Sequence, residues 1–169
     1  MLQIDSNLLM LLIAGLYVLV FGGLSILRRE GLSAQFALEA IGITGILVGG
    51  AMLLGIRLSP IVFLLILYLG TMRSRLLVDG GNLLAQRGRY AAAFRIYDLA
   101  LALWPDGASR LIVLSNRGAA EVRCGQIDRA IQTLEGVLAE RSRQGLGVRC
   151  EAATRYNLGV AFDQCGQVA

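Results

Sequence analysis

The sequence predicts an all-α protein in two physically different parts, an apolar helical bundle followed by a stack of helical hairpins. Two observations point to the bundle. Hydrophobic residues make up 56% of the 169-residue chain, and a mean hydropathy of +0.63 is too high for an ordinary soluble domain. That excess lies before Met72, where Asp5, Arg28, Arg29, Glu30, Glu39 and Arg57 sum to zero charge, so the net +4 belongs to the remainder. A third observation points to the hairpins: a pattern of glycine, alanine and aromatic residues at helical spacing returns further down the chain.

The bundle, residues 1–72, reads as two clear spans and a third shorter one. Residues 8–27 hold no charge and cover about 30 Å as a helix, enough to cross hydrocarbon. A cleaved signal peptide is rejected, because the leader carries no Arg and the small-residue site Gly23-Leu-Ser25 lies inside the apolar run. The second span, 34–54, carries Gly42, Gly45 and Gly49 on one face, a pattern that lets helix backbones touch in a bilayer. Gly15 and Gly22 share a side of the first span, so the two spans are expected to pack through their glycines, with self-association as the alternative. Glu39 is expected to snorkel and pair with Arg28 or Arg29 on the same membrane side. Residues 58–72 are short for a span, about 20–23 Å, with Pro60 suited to a first helical turn. Three spans put Arg28, Arg29, Arg73 and Arg75 on one side and Arg57 on the other; two spans would put the arginine-rich part outside. Three spans are favoured, with the N-terminus outside and the remainder in the cytoplasm. The third span is expected to run into the next helix with a kink near Asp79-Gly80.

In the second part, Tyr90, Ala93, Tyr97 and Ala100 form one helical stripe between Gly88 and Pro105, with Gly81 seven residues before Gly88. The pattern recurs as Gly118, Gly125-Gln-Ile127, Ala130, Leu134 and Val137. It recurs again as Asn157-Leu-Gly159 and Gly166-Gln-Val168, at offsets of 37 and 41 residues. Helices are predicted at Tyr90–Leu103, Ala108–Arg123, Ile127–Arg141 and Val148–Cys165. Cys124 and Cys165 both precede a turn glycine and suit a small apolar core position, and three cysteines without a CxxC pair fit a reducing compartment.

These motifs resemble the tetratricopeptide repeat (TPR), with copies over residues 74–107, 111–144 and an incomplete 152–169. The resemblance implies a helix-turn-helix solenoid of about two and a half repeats. It also implies that a peptide or partner helix binds in the groove lined by the first helices. Groove positions would be Arg75, Asn82, Asn116, Arg123, Tyr156, Asn157 and Asp163. Asn82 and Asn116 fall where some members of the family grip a C-terminal carboxylate. The matching basic positions are Val78, Ala153 and Asn157, so that clamp is not reproduced. The bland reading of Asn116 and Asn157 is a structural hydrogen bond. The last helix has an apolar side, including Leu158, Ala161 and Phe162, with no covering helix after it in the sequence; either the natural chain is longer, or a partner subunit or second copy covers that side.

The chain has no His, no nucleophilic triad, no phosphate loop and no metal-ligand cluster, so no enzyme, cofactor or metal site is expected. Its arginines form no stripe suited to nucleic acid and would instead meet anionic lipid. The expectation is a multi-pass protein of the bacterial inner membrane presenting a cytoplasmic scaffold, an assembly factor or accessory subunit, with oligomers possible. A transport or sensing role centred on Glu39, or the front of a longer enzyme, are the alternatives.

Overall fold

A computed structural model describes residues 6–27, 33–144 and 146–168. Among them the chain forms seven α-helices and no strand: α1 (Ser6–Leu27), α2 (Ala34–Leu54), α3 (Pro60–Gln86), α4 (Tyr90–Ala102), α5 (Gly107–Arg123), α6 (Ile127–Gln144) and α7 (Val148–Val168). The chain divides into two compact units, one running to Arg73 and the other beginning at Ser74. Helix α3 contributes to both and is helical without interruption through Asp79-Gly80.

Local chemistry sets the ends of the apolar helices. Ser33 caps α2, its Oγ accepting from the Phe36 N–H at 3.2 Å. Gly55 closes α2 in the left-handed region at φ 63°, satisfying carbonyls that would otherwise be orphaned. Pro60 opens α3, where its missing N–H costs nothing. Helices α1, α2 and α3 are each long and apolar enough to cross a membrane.

The first unit is built around Met10, Ala14, Tyr17, Ala40, Val48, Phe63 and Leu67, all buried. Rings fill the seam between helices: Tyr17 lies 4.5 Å from Phe21 and 6.0 Å from Phe36, centroid to centroid. Tyr17 also hydrogen-bonds Thr71 at 2.6 Å, tying α1 to α3. Leucines and isoleucines cover the outside, among them Leu16, Leu19, Leu38, Ile46, Ile61 and Leu65, an exterior suited to hydrocarbon and not to water.

The glycine packing expected of the first two spans is not what forms. A Cβ added at Gly15, Gly42, Gly45 or Gly49 would meet nothing within 4 Å. The inward stripe of α2 is Ala40, Thr44, Val48 and Ala51 instead, and of the expected glycines only Gly22 is buried. Gly42 and Gly45 lie on the exposed side of α2, away from that stripe. The close glycine contact in this unit is Gly70, where a Cβ would lie 2.7 Å from the Ile43 Cδ1.

The second unit begins with an antiparallel hairpin of α3 and α4. Gly88 turns the chain at φ 72°, and Val78, Ala85, Ala93, Tyr97 and Ala100 form the buried seam. A second hairpin pairs α5 with α6. Asp106 caps α5 by accepting from the Ser109 N–H at 2.8 Å, and Gly125 makes the turn at φ 79°. Helix α7 then packs on α5 and α6, burying Ala161 with Val122, Ala130 and Leu134. Deep in that contact the Ser115 and Thr154 hydroxyls hydrogen-bond at 2.7 Å.

Two expectations at the end of this unit are corrected. Helix α7 continues through Gly166 to Val168, so the third glycine makes no turn. The turns at Gly88 and Gly125 are each followed by a helix that packs back on the one before. Ala161 is fully buried against α5 and α6, because the small side chain sits on the inward stripe with Thr154, seven residues earlier.

Candidate partner interface

Helix packing in the second unit repeats a single device. At Gly81 an added Cβ would lie 2.5 Å from the ring of Tyr97, so the glycine is the notch that admits the ring. At Gly118 the same atom would lie 2.6 Å from Leu134, and Leu134 is fully buried. Gly159 occupies the matching place on α7, and there an added Cβ meets nothing within 4 Å. Around this open notch, Tyr156 and Phe162 are exposed by 73% and 50%, and Leu158 is half-buried. Cys165 is exposed too, whereas Cys124, at the same position before a turn glycine, is half-buried with its thiol directed at the Glu121 carbonyl. The cysteine expected in the core at 165 is thus exposed instead.

The seven groove positions fare differently. Asn82 accepts a hydrogen bond from the Tyr97 hydroxyl at 2.7 Å, which braces α3 against α4. Asn116 donates to the Ile112 carbonyl on its own helix at 2.8 Å. Both amides thus serve their own scaffold. Arg123, Tyr156 and Asp163 are exposed, and Arg75 and Asn157 are half-buried. Burial raises the pKa of the Tyr97 phenol above its ordinary value of 10.0, with the charge of Arg123 acting in the opposite direction.

Arg117 was not singled out in the sequence, yet it links two helices. It binds Asp98 on α4 at 2.6 Å and Glu121 on its own helix at 3.1 Å, and it lies 5.9 Å over the Phe94 ring. The Arg117–Glu121 spacing of four residues was the one available clue. Glu121 is almost wholly buried, and its Oε2 has no hydrogen-bond partner.

In the first unit, Glu39 is held by Arg73; Arg28 and Arg29, the arginines expected for it, lie outside the described residues. Both carboxylate oxygens are engaged, at 2.5 and 2.7 Å, and the Gln35 amide adds a third bond at 2.9 Å. Arg73 also donates to the Gly70 carbonyl at 2.6 Å. A bidentate arginine fork of this kind fixes geometry as well as charge.

Among the described residues no group of three metal-ligating side chains comes together. No family model, curated protein or solved structure matches the chain.

Proposed function

We propose that the chain is a membrane-anchored scaffold of the tetratricopeptide type, in which the outer face of α7 takes a helix from a partner protein. One observation carries this reading. Two successive glycine notches are filled by a side chain of the following helix, Tyr97 on Gly81 and Leu134 on Gly118, and the third, at Gly159, is open beside Phe162 and Tyr156. A bulky residue on an incoming helix would fill it as Leu134 fills Gly118. Each large apolar side chain so covered contributes roughly 1.5–3 kcal/mol, enough in sum for a specific complex.

The membrane anchor is read from α1, α2 and the apolar start of α3, with their leucine-covered exterior. The arginine distribution supports an N-terminus outside and a cytoplasmic array, as in a bacterial inner-membrane protein. On this reading the chain is an assembly factor or accessory subunit of a membrane complex, not an enzyme. The fully engaged Glu39 carboxylate suits a structural ion pair better than an ion pathway. The test is purification from native membranes in mild detergent. A protein should co-purify in fixed stoichiometry with the native chain and be lost with Phe162→Asp, while Glu39→Gln keeps it. A complex that Glu39→Gln abolishes and Phe162→Asp leaves intact would favour the transport or sensing role. A second copy of the chain, found on α7, would make the partner a homo-oligomer.

A further inference from the structure

The connection between α4 and α5 holds the only tryptophan of the chain, Trp104, and its placement is unusual in three respects. The indole is 83% exposed. Trp104 is the one described residue other than glycine with a positive φ, 56°, a conformation uphill for a bulky side chain. Leu99 and Leu103 beside it are exposed by 46% and 40%, so the indole tops an apolar patch at the end of α4. A solvated loop would gain nothing from such a display.

The hairpin register says what lies beside that patch. Residue 97 sits against residues 81 and 82, through the Tyr97 ring on Gly81 and the Tyr97 hydroxyl on Asn82. The helices are antiparallel, so each step back along α3 matches a step forward along α4 and beyond. Seven steps bring Trp104 level with Ser74. Ser74 directly follows Arg73, the last residue of the apolar unit. Within the second unit, α4 thus runs back along α3 and brings Trp104 level with Ser74, where that unit begins on α3.

Resting on the membrane-anchored reading, we infer that Trp104 is an interfacial anchor, its indole seated among the lipid head groups. Tryptophan favours this layer because its ring is apolar and its N–H is polar. Charge agrees. Arg75 directly follows Ser74, at a level where arginine meets anionic head groups favourably. Asp106, the acid of the connection, is turned away to cap α5.

The single tryptophan makes the test direct. The full chain is reconstituted into phosphatidylcholine–phosphatidylglycerol vesicles, washed at alkaline pH and floated, and its tryptophan emission is recorded. Vesicles carrying bromine near the head-group end of the acyl chains should quench the emission strongly, those brominated near the chain ends less, and aqueous iodide weakly. If the chain floats but iodide quenches and neither bromolipid does, the anchor is wrong and the membrane reading stands. If the chain remains with the aqueous fraction after the wash, both fall together.

Discussion

Tyr97 lies so close across Gly81 that a Cβ added at residue 81 would come 2.5 Å from the ring. The ring is fully buried and cannot retreat without moving α4. Gly81→Ala should therefore destabilise the chain by about 1–3 kcal/mol, the usual cost of overpacking. Gly118→Ala should do the same through Leu134. Gly159→Ala should be neutral or stabilise by about 0.5–1 kcal/mol, because an open helical glycine only gains from an added methyl. Thermal unfolding of the detergent-solubilised protein separates the three. Equal losses at all three sites would mean that Gly159 is covered.

The Arg73–Glu39 fork joins the middle of α3 to the first turns of α2. Both side chains are about a quarter exposed, at 26% and 25%, so the pair is partly desolvated. Glu39→Gln should lower bundle stability by about 1–3 kcal/mol, the range for hydrogen bonds to a charged group. Arg73→Ala should cost at least as much, since it leaves the carboxylate uncompensated. A double variant losing no more than the worse single one, in a denaturant titration in mixed micelles, shows that the two act as a unit.

Arg117 compensates a carboxylate that water hardly reaches. Arg117→Ala should cost about 3–5 kcal/mol, because Glu121 is then buried without its cation. Glu121→Gln removes the charge and keeps an acceptor for Arg117, so stability should be unchanged or rise. The comparison is made by thermal unfolding at neutral pH, and equal losses from the two variants would contradict it.

Tyr97 gives the array a dependence on alkaline pH. Its folded pKa lies above its unfolded value of 10.0, so the stability tied to the neutral phenol is intact below that value and is lost as pH rises through the folded one. Unfolding midpoints recorded from about pH 8 to about pH 11 should fall more steeply for the native chain than for Tyr97→Phe. Parallel curves would show that the phenol does not titrate on unfolding.

Much of the architecture was legible because its causes are local. Pro60, Ser33 and Gly88 mark helix ends through their own backbone chemistry. The stripe of Ala93, Tyr97 and Ala100 shows its buried face by spacing alone. What the sequence hid depends on which faces meet. Gly42, Gly45 and Gly49 share a side of α2, but the side that is buried carries Ala40, Thr44, Val48 and Ala51. Glu39 was legible as a paired acid, whereas Arg73, which grips both its oxygens, lies 34 residues away on another helix. Ala161 read as part of an exposed side because Phe162 is its neighbour, and a helix turns one of two adjacent residues inward. Asn82 reads equally well as a groove residue or a brace until Tyr97 is seen against it.

On the proposed reading an apolar bundle carries the second unit on the cytoplasmic face of a membrane, and Cys165 reports that sidedness directly. Its thiol is exposed near the end of α7, and no cysteine lies in the first unit. A membrane-impermeant maleimide should modify the native chain in inside-out vesicles and leave it unmodified in intact right-side-out cells. Labelling in intact cells with protection in inside-out vesicles would contradict the three-span arrangement and the cytoplasmic scaffold with it.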